Sequence, residues 1–175
     1  MELEKELPSR KRLRLQEFDY STPGAYFITI CTHEKKCTLS HIVGAIHESP
    51  VIKLTGFGKI VDDVINNIPE RFKATIGKYV IMPNHIHLIV VITDDEELRA
   101  IRESPLRSRS IVSKFIGYIK MNASKEIHLR YGNIIVWQRG FYDHIIRNQK
   151  DYDDIYNYIH ENPMRWKHDK LYVEE

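Results

Sequence analysis

A chain of 175 residues that is 42% apolar and 29% charged is the size of one domain with a core, which excludes a disordered or fibrous protein. No apolar run reaches membrane-spanning length, the charged start up to Leu15 does not read as a secretory signal, and two cysteines without metal-type spacing fit a reducing cytoplasm. The net charge of +2 says little, but its distribution is uneven enough to build a phosphate-binding surface.

Taken in order, residues 1–18 read as a basic arm in which Arg10, Lys11, Arg12 and Arg14 stand together, and residues 19–175 as a single domain. The run 25–32 is β-branched and aromatic and predicts a first strand. Short strands are expected at 37–39 and 51–54. From 55 to 68, Ile60, Val61, Val64, Ile65 and Ile68 recur at helical spacing. Strands follow at 76–82 and 85–93, paired antiparallel through Pro83-Asn84. Residues 94–109 are polar and basic and read as a linker. Ser110 is placed to cap a second helix that buries Ile111, Val112, Phe115, Ile116, Ile119 and Ile127. A fourth strand is expected at 134–138, and a last helix at about 149–161. This order, β-α-β-β-α-β and then a helix, predicts an α+β, ferredoxin-like antiparallel sheet with two helices on one face and the other face open.

Alternation along the third strand puts His85, His87, Ile89 and Val91 on one face and Ile86, Leu88, Val90 and Ile92 on the other. Two imidazoles one residue apart can share a cation, although two ligands do not fill a site. In the last helix Tyr152, Ile155, Tyr156 and Ile159 form the apolar stripe. Tyr158 lies roughly 110° from its centre. It shares that side with Asn162 one turn on. A phenolic oxygen there can act as a nucleophile, and a metal can polarise the phosphate it attacks. Asn162 fits either an oxygen ligand or a helix end before Pro163. Two nitrogens and an oxygen suit Mg²⁺ or Mn²⁺ better than a thiolate set would. Lys114, Lys120 and Lys125 on the second helix, with Arg139 and Arg147 near the last one, are the candidate phosphate contacts besides the arm.

The run Met82-Pro83-Asn84-His85-Ile86-His87-Leu88 resembles the HUH motif of single-strand DNA transposases with one catalytic tyrosine. The runs 137–148 and 151–163 are similar to the REP-associated tyrosine transposases, and the likeness extends over roughly 20–166. The resemblance implies a ferredoxin-like (RRM-like) core with an extra C-terminal helix carrying the tyrosine. It implies that Tyr158 is the nucleophile, that His85, His87 and Asn162 hold a divalent metal, and that DNA is nicked and rejoined near hairpins through a 5′-phosphotyrosine link. His144 lies in the matching run and is a candidate supporting residue. The partners implied are single-stranded or hairpin DNA, with no membrane, for a cytoplasmic monomer or homodimer. Two alternatives make different predictions. A metal-dependent nuclease would use water, held by His85, His87 and His144. A silent RRM-like module would bind nucleic acid without cutting it.

Overall fold

The computed structural model describes residues 22–44, 50–69, 72, 74–93 and 110–174. The basic arm with Arg10, Lys11, Arg12 and Arg14, and the basic stretch 99–109, lie outside the described residues. The elements are β1 (Gly24–Cys31), β2 (Ser40–Val43), β3 (Val51–Leu54), α1 (Gly56–Asn66), β4 (Ala74–Ile81), β5 (His85–Ile92), α2 (Ile111–Tyr131), β6 (Tyr142–Ile146) and α3 (Gln149–Glu161). Four strands form one sheet in the order β4-β5-β1-β6, with every neighbouring pair antiparallel, and β2 and β3 form a separate hairpin. Setting the hairpin aside, this is the expected α+β ferredoxin-like topology. Among the described residues, no helix is long and apolar enough to cross a membrane.

Each face of the sheet has its own core. Tyr26, Ile28 and Ile30 of β1 and Ile86, Leu88, Val90 and Ile92 of β5 point into one, against Ile60, Val61 and Ile65 of α1 and Phe115, Ile116 and Ile119 of α2. Each such apolar side chain contributes about 1.5–3 kcal/mol on leaving water. The opposite face, expected to be open, is covered by α3. Ile159 packs there with Val80, Met82, Ile89 and Trp166, and Tyr152 and Ile155 lie alongside. The predicted stripe of the last helix is therefore what docks it. Gly77 helps, at an irregularity between Ile76 and Tyr79 in the β4–β5 pairing, because a Cβ there would come within 3.2 Å of the Tyr152 hydroxyl.

One expectation is corrected. The fourth strand is Tyr142–Ile146, not 134–138. Residues 134–138 make one isolated bridge, Thr32 to Trp137, and bury Val136 and Trp137 while leaving Ile135 69% exposed. The apolar run there serves to plug the core end rather than to pair in a ladder.

The helix starts follow capping chemistry. The Ser110 hydroxyl accepts from the Ser113 amide, and the Thr55 hydroxyl from the Gly58 amide. Thr55 also donates from its amide and its hydroxyl to the Leu39 carbonyl, both at 2.9 Å. That carbonyl is therefore held fast, and a Cβ on Gly58 would collide with it. Gly58→Ala is expected to destabilise the fold by about 1–3 kcal/mol in a urea melt, despite the better helix propensity of alanine. Unchanged stability would mean that the Leu39 turn yields.

Candidate active site

The site forms where β5 begins and α3 ends. His85 and His87 stand on the α3 side of the sheet, as alternation requires, and both are buried. Their rings lie 4.4 Å apart, centroid to centroid. Each Nδ1 is occupied. The Asn84 side chain donates to the Leu171 carbonyl at 2.8 Å, which turns its oxygen toward His85 Nδ1, also at 2.8 Å. That oxygen can only accept, so His85 carries its proton on Nδ1 and presents a bare lone pair at Nε2. His87 Nδ1 is 2.8 Å from the Thr29 hydroxyl, which arrives from the paired strand β1. Burial pushes His85 down to about 4 and His87 well below its ordinary value, the neighbouring imidazole adding to the latter. Both rings are therefore neutral at physiological pH, the state in which imidazole binds metal.

Tyr158 reaches this pair from α3. Its hydroxyl is 3.4 Å from His87 Nε2 and donates to Asp169 Oδ2 at 3.0 Å. The ring sits edge-on to Phe27 at 5.9 Å and 5.2 Å from the His87 ring, and the residue stays 40% exposed. It is thus open to a large substrate. Burial first, then the charge of Asp169, pushes the phenol up to about 12. Asn162, one turn on, is buried and donates from Nδ2 to Asp169 Oδ2 at 3.0 Å. It occupies the end of α3, yet its side chain turns into the site rather than capping the helix.

Asp169 was not legible in the sequence as a site residue. It stands in a short turn after the helix, and one of its carboxylate oxygens lies within 4.8 Å of a ring nitrogen of both His85 and His87. No spacing signal marks it; it is one acid in a basic run, Lys167-His168-Asp169-Lys170. Thr29 and Asn84 were also missed as partners of the histidines, although Asn84 was already noted as a turn residue.

The residues fit a divalent ion. His85 Nε2 and Asn162 Oδ1 are buried with no hydrogen-bond partner. Leaving two such atoms unmatched costs about 1–3 kcal/mol each, which a cation facing both would relieve. Two imidazole nitrogens with amide and carboxylate oxygens is a donor set for a hard or intermediate metal.

The other sequence candidates stand elsewhere. His144 pairs across the sheet with Phe27 and so shares the site's face, but its ring bonds the Asp151 carboxylate at 3.0 Å and ties β6 to the first turn of α3. Lys120 donates to the Gln138 and Gly140 carbonyls at 2.6 and 2.9 Å, holding the loop that carries Arg139. Lys114 and Lys125 are exposed on α2, in the layer opposite the site, and Arg139 and Arg147 are exposed beside β6.

No protein-family model matches the chain. An uncharacterised Haemophilus influenzae protein is 37% identical over 94% of this chain and 94% of its own. A second protein of that organism, named "Putative REP-associated tyrosine transposase", is 25% identical over 84% of this chain and 74% of its own. Among solved structures, a REP-associated tyrosine transposase bound to a REP hairpin superposes with a TM-score of 0.57 at 20% identity, over 89% of this chain and 74% of that one. The fold is thus shared with one such transposase and the sequence, motif runs included, with another: this chain belongs to the REP-associated tyrosine transposase family.

Proposed function

We propose that this chain cuts and rejoins single-stranded DNA beside hairpins through a 5′-phosphotyrosine link, with Tyr158 as nucleophile and a divalent ion, Mg²⁺ or Mn²⁺, on His85, His87 and Asn162. The observation that carries this reading is the Tyr158 hydroxyl 3.4 Å from His87 Nε2, at a site where buried donor atoms stand unmatched. In the first step the Tyr158 oxygen bonds to phosphorus and the bond from phosphorus to the 3′ oxygen breaks. The phenol gives up its proton, and the departing strand ends in a 3′-OH. Another 3′-OH reverses the step and rejoins the DNA. A phenol raised to about 12 is a weak nucleophile at neutral pH. A bound divalent ion would supply positive charge to the phosphate and to the leaving oxygen.

The chain's own residues do the positioning. Thr29 and Asn84 fix the two rings, and Phe27 sets the edge of the Tyr158 ring. Hairpin DNA as the substrate class is carried over from the relative solved on a REP hairpin. Arg139 and Arg147, exposed beside β6, and the arm residues Arg10, Lys11, Arg12 and Arg14 are proposed as phosphate contacts, with Lys114 and Lys120 as outlying ones. The water-using alternative needs His144 as a third ligand, and the bond from His144 to Asp151 speaks against it.

The test is covalent trapping. Labelled single-stranded DNA from repeats flanking the gene is mixed with the protein and Mn²⁺ or Mg²⁺, then run on a denaturing gel. A slow band that disappears with a chelator is expected. Cleavage without such a band would overturn the tyrosine mechanism.

A further inference from the structure

The ligand set expected from the sequence, His85, His87 and Asn162, carries no charge. A divalent ion held by three neutral donors in a buried pocket would keep its whole charge away from water, which is costly. Mg²⁺ and Mn²⁺ moreover favour charged oxygen ligands. The fold supplies one from outside the motifs.

We infer that Asp169 is a ligand of the divalent ion beside His85 and His87, so that the segment after α3 completes the metal site. This rests on the divalent-ion reading above. Three observations carry it. The donor atoms of His85, His87 and Asp169 lie within 4.8 Å of one another. The unmatched His85 Nε2 and Asn162 Oδ1 belong to side chains only 0% and 2% exposed, and Asn162 already donates to Asp169 Oδ2. The carboxylate is also held in place: its Oδ1 accepts the Leu171 amide, 2.6 Å away. The segment itself is anchored on the histidine strand's entry, with Trp166 against the His85 ring at 5.9 Å and the Leu171 carbonyl on Asn84. Asp169 is thus built into the pocket from both ends.

The experiment titrates Mn²⁺ into the full-length metal-free protein and reads free Mn²⁺ by its electron paramagnetic resonance signal. Asp169→Asn keeps an oxygen for the Leu171 amide and removes the charge. It is expected to weaken Mn²⁺ binding at least about tenfold, the scale on which altered metal partners act. His85→Ala should weaken it at least as much. If Asp169→Asn binds like the parent while His85→Ala does not, Asp169 is no ligand and the inference fails alone. If His85→Ala binds like the parent, or the parent binds no Mn²⁺, the divalent-ion reading fails with it. Unchanged Mn²⁺ affinity with faster adduct formation would make Asp169 a restraint on Tyr158 and would equally overturn the assignment.

Discussion

Tyr158→Phe is expected to leave a folded, DNA-binding protein that forms no covalent adduct and cleaves at least about 10³-fold more slowly. The size follows from removing a nucleophile, which no neighbouring group replaces in geometry. The substitution deletes one oxygen. The ring remains, with its contacts to Phe27 at 5.9 Å and His87 at 5.2 Å. The hydrogen bond lost is the one to Asp169, at a residue 40% exposed to water, so the melting curve should move by no more than about 1 kcal/mol. Tyr156 is the matched control. It lies on the same helix, is 42% exposed, and faces Lys78, whose ammonium stands 5.3 Å from its ring centre. Tyr156→Phe should cleave normally. A Tyr158→Phe protein that still cleaves would return the chemistry to a water-using nuclease.

The sequence carried most of the frame because the frame obeys local periodicity. Strands β1 and β5 are long, β-branched and central, and α3 runs over the expected residues because Asn148 caps it and Pro163 follows it. Both histidines and Tyr158 were found by their faces: period two on the strand and about 100° per residue on the helix place them without tertiary information. The misread strand shows where this stops. Residues 134–138 have the stronger apolar signal, but β6 is an edge strand, and its residues Asp143 and His144 look polar because one side of it meets water. Asp169 fails for another reason. Its place depends on how the chain turns after Pro163 and lays Trp166 on His85, a contact between residues 81 positions apart that no local pattern encodes.

Adjacent residues of β5 should separate stability from function. Leu88 faces the α1–α2 core and is fully buried, so Leu88→Ala is expected to cost about 2–5 kcal/mol. His87 faces the other way, toward Tyr158 and Thr29. His87→Ala should abolish adduct formation, a loss of at least about 10². Its cost in stability is expected to be smaller, about 1–2 kcal/mol, because the space left lies beside a half-exposed tyrosine where water can enter. The two variants differ most in how they respond to metal. A ligand that binds the folded state raises its stability by RT ln(1 + [L]/Kd), so Mn²⁺ should raise the melting temperature of the parent and of Leu88→Ala alike. It should leave His87→Ala unmoved. A His87→Ala protein that loses as much stability as Leu88→Ala and still answers to Mn²⁺ would make His87 a packing residue. The role of the strand would then be confined to the core.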